Sequence, residues 1–252
     1  MTEQPAAEKK PRLLVLISGG GSNLQSFIDA CGNGSLQAQL VAVISNRAGV
    51  KGLDRAAAAG IPNIVVDHRA FDSRDGFDQS LGDIIESFAP DLVVLAGFMR
   101  ILTPEFVNRF LGKLINIHPS LLPAYPGLHT HQRAIDAGDK QAGATVHFVT
   151  PELDGGPSVL QAQVPVLPDD SSDTLAQRVL GFEHSIYPTA VQWFCEGRLR
   201  MENGVALLDG QALPENGVIS VMALNNNGFW HSNPAGNTNP ARQQNSNSKQ
   251  RP

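Results

Sequence analysis

The run Leu114-Ile-Asn-Ile-His118-Pro places an amide and an imidazole two residues apart in an otherwise apolar stretch. In a strand, residues i and i+2 share a face, so Asn116 and His118 point one way while Ile115 and Ile117 point the other. Polar side chains on a covered face are costly unless paired or used. An amide N–H2 beside an imidazole can bind a developing oxyanion and supply or accept a proton. The competing explanation is a structural pair bonded to neighbouring loops, and a position at the end of a central strand leaves the two level. Asp154, in Glu152-Leu-Asp-Gly-Gly-Pro157, is a carboxylate on a loop able to reach the end of the same strand. Beside His118 it would favour imidazolium. Taken alone, an Asx turn begun by the Asp-Gly pair is the stronger explanation.

A second motif, Ser18-Gly-Gly-Gly-Ser-Asn23, separates an apolar run from a helical pattern. Glycines there let a phosphate approach backbone N–H groups, and the helix N-terminus behind them favours negative charge. The dinucleotide fingerprint fails, because Leu24 stands where its third glycine belongs and Ser45-Asn46-Arg47 offers no acidic partner for a ribose. No Gly-Lys-Ser/Thr follows either. The strand–loop–helix context favours a mononucleotide-type phosphate site over a turn needed only for packing. His129-x-His131 lacks further ligands at metal spacing, so no metal is expected. His147 reads as a structural residue within a strand, and Glu183 as a solvated residue on a helix face.

The elements that must position these groups alternate. Short apolar runs at 13–17, 40–45, 64–67, 92–96 and 114–118 suit strands covered on both faces. Helical segments at 23–30, 52–59, 75–89 and 104–111 connect them, which predicts an α/β, doubly wound, mostly parallel sheet with right-handed crossovers. Two further strands, 145–149 and 159–164, are joined by a loop, so part of the sheet is expected to be mixed; a long helix is expected over 172–196. With 252 residues the chain can bury one sizeable core. The predicted domain spans 11–213. Residues 1–10 and 214–252 are expected to be flexible or disordered, since 225–252 is crowded with Asn, Gln, Ser, Gly and Pro. Two distant cysteines, Cys31 and Cys195, point to a reduced compartment. No leader pattern and no run approaching roughly 20 apolar residues argue for a cytoplasmic protein with no membrane partner. A net charge of −5 offers no footprint for nucleic acid.

Four stretches occur in a telling order: Ser18-Gly-Gly-Gly-Ser-Asn23, Leu95-Ala-Gly-Phe-Met-Arg-Ile-Leu102, Asn116-Ile-His-Pro-Ser-Leu-Leu-Pro123 and Leu153-Asp-Gly-Gly-Pro157. Together they closely resemble the phosphoribosylglycinamide formyltransferase family, within the formyltransferase superfamily, over residues 12–213. Asn-x-His with a distal Asp marks only the superfamily. The narrower likeness rests on Tyr125-Pro-Gly-Leu-His-Thr-His131 and Phe182-Glu-His-Ser-Ile-Tyr-Pro188. The resemblance implies a Rossmann-like fold and formyl transfer from 10-formyltetrahydrofolate to glycinamide ribonucleotide, in purine biosynthesis. By position, Asn116, His118 and Asp154 match the catalytic trio. Gly21, Ser22, Asn23 and Glu183 match the ribonucleotide contacts. Arg74, Met99, Arg100, Ile101, Leu102, Thr150, Pro151, Glu152, Leu153 and Asp154, with Asn116, match the folate side. Gly20 departs from the asparagine common among relatives. Rival activities that share the trio are methionyl-tRNA formyltransferase and formyltetrahydrofolate hydrolase, and a silent folate- or nucleotide-binding protein is a third alternative. The expected partners are small-molecule substrates, in a monomer or homodimer.

Overall fold

The computed structural model describes residues 9–224 and 230–233. One large sheet organises them. Its strands are β1 (Arg12–Ile17), β2 (Gln39–Ser45), β3 (Asn63–Val65), β4 (Leu92–Leu95), β5 (Leu114–His118), β6 (Gln141–Phe148) and β7 (Ser158–Pro165). The helices between them are α1 (Ser22–Asn33), α2 (Lys51–Ala58), α3 (Arg74–Ser87), α4 (Pro104–Arg109) and α5 (Thr130–Asp136), and α6 (Ser172–Cys195) follows β7. A small three-stranded sheet, β8 (Leu199–Glu202), β9 (Val205–Leu208) and β10 (Gln211–Ala212), comes next, then β11 (Val218–Leu224) and β12 (Trp230–Asn233).

The strand order is β12-β11-β7-β6-β5-β4-β1-β2-β3. Pairing is parallel from β3 through β5, and β6 runs antiparallel to both β5 and β7. The expected mostly parallel, partly mixed, doubly wound sheet is therefore found. The strands expected at 64–67 and 145–149 are instead Asn63–Val65 and Gln141–Phe148, and the short helix α5 carries no run long enough to announce itself.

Alternation along β1 explains why that strand is apolar throughout. Leu13, Val15 and Ile17 pack into one core with Phe27 of α1 and Tyr187 of α6, while Leu14 and Leu16 join Phe77, Leu81 and Ile85 of α3 in the other. α6 is fastened to the sheet by the fully buried Tyr187, whose hydroxyl lies 2.9 Å from Leu95 O and 3.0 Å from Ile115 O and shares its one proton between them. That contact locks the carboxyl ends of β4 and β5 together beside Asn116.

The sheet does not stop at residue 213. Val218–Val221 of β11 pair in parallel with Leu160–Gln163 of β7, and β12 adds an antiparallel edge. The apolar run Val-Ile-Ser-Val-Met-Ala-Leu is a strand in its own right, hidden when its composition is averaged with the polar residues behind it. The rest of the expected disordered termini, 1–8, 225–229 and 234–252, lies outside the described residues.

Candidate active site

β5 lies between β4 and β6 with its carboxyl end at the cleft where open α/β sheets take ligands. Register places Asn116 directly opposite His147 of β6, and His118 opposite Thr145. Cross-strand neighbours on one face touch, and Asn116 Nδ2 lies 3.2 Å from His147 Nε2. The proton positions follow from the partners. His147 Nδ1 is 2.9 Å from Phe148 O, which can only accept, so Nδ1 carries the hydrogen and Nε2 accepts from the Asn116 amide. Burial pushes the His147 imidazole down to about 4, outweighing the opposite pull of its bond to Phe148 O and of the nearby Asp154 carboxylate, so it stays neutral at pH 7. The Asn116 amide is thus turned with one N–H on His147 and the other free.

His118, 6% exposed, is held from the opposite side. Its Nε2–H donates to the Tyr125 carbonyl at 2.9 Å, and its Nδ1 faces Asp154 Oδ2 at 3.5 Å. Asp154 Oδ2 also accepts from Gly127 N at 2.9 Å. Both Tyr125 and Asp154 have left-handed backbone, φ 57° and 52°, a conformation that is uncommon for non-glycine residues and that gathers at functional sites. At Tyr125 it sits beside the carbonyl that meets His118. The tyrosine is braced by its hydroxyl, which donates to Asp139 Oδ2 at 2.7 Å, and by the Arg133 guanidinium 5.1 Å over its ring. The orienting partner of His118 is therefore a backbone carbonyl, which leaves Nδ1, beside the carboxylate, as the nitrogen that can exchange a proton.

A cavity of about 120 Å3 opens next to Asn116 and Asp154. Arg100, Ile101 and Leu102 line it with Thr150, Pro151, Glu152 and Leu153, so the two loops expected on the folate side meet there. Met99 stands 63% exposed beside them. Arg74 is exposed in the first turn of α3 and does not line this cavity.

The glycine loop meets α1 differently. Gly21, φ 68°, occupies the N-cap position without a side-chain cap, so the first-turn N–H groups are available to an anion. Gly52 supports the loop from beneath, donating its N–H to Gly19 O at 3.1 Å. A Cβ on Gly21 would come 2.8 Å from Gly52 Cα. Glu183 is not on a solvated face: it is 7% exposed, and its Oε2 accepts from Asn23 Nδ2 at 2.7 Å. Burial pushes its carboxyl up. Ser22, next in the loop, lines an open groove of about 690 Å3 between α1 and α6. His131 lies near His118, and its imidazole is pushed down by burial first and by His118 second. The sequence reading missed His147 and the Tyr125 carbonyl, which only strand register and loop geometry reveal, and Gly52, which nothing in the local sequence marks.

The formyl transferase family profile matches residues 11–191. The chain is 55% identical to the phosphoribosylglycinamide formyltransferase of Escherichia coli strain K12, over 81% of this chain and 97% of that one, and 52% identical to its counterpart in Haemophilus influenzae, over 82% and 97%. The solved phosphoribosylglycinamide formyltransferase of Coxiella burnetii superposes with a TM-score of 0.81 at 46% identity, covering 84% of this chain and 99% of that one. With that likeness across both β5 and the glycine loop, the chain belongs to the formyl transferase family, among the phosphoribosylglycinamide formyltransferases.

Proposed function

We propose that this enzyme transfers the formyl group of 10-formyltetrahydrofolate to the amine of glycinamide ribonucleotide, giving N-formylglycinamide ribonucleotide and tetrahydrofolate. The observation that carries the reading is the meeting of Asn116, His118 and Asp154 at the carboxyl end of β5, between a cavity lined by Arg100–Leu102 and Thr150–Asp154 and a loop with uncapped helix N–H groups. The ribonucleotide phosphate takes the N–H groups that follow Gly21, with Ser22, Asn23 and Glu183 along the same substrate. The folate lies along Met99–Leu102 and the 150–154 loop, with Arg74 further out.

The chemistry is a direct acyl transfer. The amine nitrogen attacks the formyl carbon, and a new C–N bond forms as the carbonyl electrons move to oxygen. The free N–H of Asn116 and protonated His118 Nδ1 stabilise that oxyanion; one such donor is worth about 3–4 kcal/mol in comparable sites. Collapse breaks the bond to the folate nitrogen, and the proton lost by the amine passes to that nitrogen with Asp154 assisting. Holding both substrates in one cleft supplies the proximity term. The same reading places the enzyme in the cytoplasm with small-molecule partners. A formyl-transfer assay offering glycinamide ribonucleotide, initiator methionyl-tRNA and water as acceptors tests it. Formylation of the ribonucleotide is expected, and preferential turnover with either other acceptor would replace this reading.

A further inference from the structure

The segment between β4 and α4, residues 96–103, is neither helix nor strand, yet it holds Met99 63% and Ile101 59% exposed at the cleft. Phe98 and Leu102 of the segment pack against the core beside α3, but the backbone between the exposed Met99 and Ile101 needs polar anchors as well. Two buried side chains supply them. At the upstream end, Ser18 grips the segment twice: its N–H donates to Gly97 O at 3.2 Å, and its Oγ accepts from Met99 N at 2.8 Å. The hydroxyl proton goes to Asn46 Oδ1 at 2.6 Å, which fixes the direction in which the oxygen faces Met99. Asn46, just past β2, is itself bonded through its backbone oxygen to His68 Nδ1 at 3.0 Å. At the downstream end, Asp78 of α3 accepts from Thr103 N at 2.6 Å, and Thr103 then caps α4 by accepting from Phe106 N. Ser18, Asn46 and Asp78 are all nearly inaccessible to solvent, so water does not compete for these bonds. Asp78 Oδ1 has no hydrogen-bond partner among the described residues, and burial pushes the carboxyl up. Arg74 and Arg100 bring positive charge near it, but its hydrogen bonds among the described residues, to backbone and side chain alike, go to Thr103, which points to a demand on that residue.

We propose that Ser18, Asn46 and Asp78 are positioning residues that hold segment 97–103 preformed for the folate co-substrate, pinning it at Met99 N and Thr103 N. The proposal rests on the folate placement given above. None of the three touches the reacting atoms. A ligand that finds its loop already fixed avoids the ordering cost on binding, so loosening either pin weakens one substrate and spares the other. Ser18 also opens the loop that receives the ribonucleotide, which makes Asp78, remote from that loop, the cleaner arm of the test.

The experiment uses the full chain with Asp78→Ala, Asp78→Asn, Ser18→Ala and Ile101→Ala. The KM for each substrate is measured separately, and amide hydrogen exchange is followed in the free protein. Asp78→Ala raises the KM for 10-formyltetrahydrofolate about tenfold, the loss of one buried hydrogen bond, and leaves the ribonucleotide KM in place. Asp78→Asn keeps an acceptor oxygen for Thr103 N and restores most of the affinity, which a role through the charge on Arg74 and Arg100 would not allow. Ser18→Ala speeds exchange at the Met99 amide while β4 stays protected. Equal rises in both KM values, a loss in kcat alone, or unchanged exchange across 97–103 would overturn the proposal. Ile101→Ala separates the two layers. If it raises the folate KM while the Asp78 and Ser18 variants do not, the pins fall and the folate placement stands. If it leaves the folate KM alone, the placement falls and takes this proposal with it.

Discussion

Replacing His147 with leucine removes two things at once, the acceptor that turns the Asn116 amide and a buried group that resists protonation. The second has a calculable consequence. In the unfolded chain the imidazole titrates near its ordinary 6.5, whereas in the folded protein burial pushes it down to about 4. Between those values the unfolded chain binds more protons than the folded one, so stability falls as pH drops through 6.5 and levels off below about 4. At pH 5 the linkage amounts to about 2 kcal/mol, with a slope that approaches about 1.4 kcal/mol per pH unit. Urea unfolding of both proteins from about pH 7.5 to about pH 5 measures it. The wild type should lose about 2 kcal/mol more than His147→Leu over that range. Glu183 and Asp78, whose carboxyls burial pushes up, act in the opposite sense but are common to both proteins and cancel. Turnover of the variant at pH 7.5 should fall by about ten- to a hundredfold, because an amide free to rotate presents its N–H only part of the time. Parallel stability profiles for the two proteins would refute the neutral, buried His147. Unchanged turnover would refute its hold on Asn116.

Asp154→Asn should keep the fold, since asparagine tolerates the left-handed backbone at φ 52° and its oxygen can still accept from Gly127 N. Its kcat should nevertheless fall about a hundredfold or more for want of the carboxylate beside His118 Nδ1, and near-normal kcat with an unchanged melting temperature would remove Asp154 from the mechanism. At Gly52, a Cβ would stand 2.5 Å from Ile17 Cδ1 and 3.0 Å from Gly19 O. Gly52→Ala should therefore displace the glycine loop and raise the ribonucleotide KM well beyond the folate KM, and equal rises would argue against a phosphate at that loop. Truncation after Leu213 strips β11 from the edge of β7, so the melting temperature should drop by about 5 °C or more. An unmoved melting curve would mean that the added strand contributes nothing to the folded state.

The parts of the fold legible in the sequence are those that a short range of residues determines. β5 was readable to the residue at Leu114–His118 because an apolar strand bounded by Lys113 and Pro119 has few other options. The antiparallel turn of β6 was readable because a loop too short for a crossover helix joins it to β7. β11 was missed for the opposite reason. Its seven residues earn their place by pairing with β7, some sixty residues upstream, and a window averaged over an Asn- and Gln-rich neighbourhood cannot see that partner.

The site divides along the same line. Asn116 and His118 could be placed on one face from spacing alone, but residue types could not separate a catalytic pair from a structural one. Register shows how each of the two is held. Because β5 and β6 are antiparallel with Asn116 opposite His147, the amide is turned by a neutral imidazole whose other nitrogen is already bonded to the backbone. Because Tyr125 adopts φ 57°, a carbonyl holds His118 Nε2 and leaves Nδ1 toward Asp154. Each polar group of the pair is thus satisfied on one side only, Asn116 keeping one N–H and His118 one nitrogen. A purely structural pair would be expected to bury its remaining hydrogen-bonding capacity against the protein, because unpaired buried donors are costly. Here that capacity faces the Asp154 carboxylate and a cavity lined by Arg100 and the 150–154 loop. The unspent donors are what an incoming formyl oxygen would use.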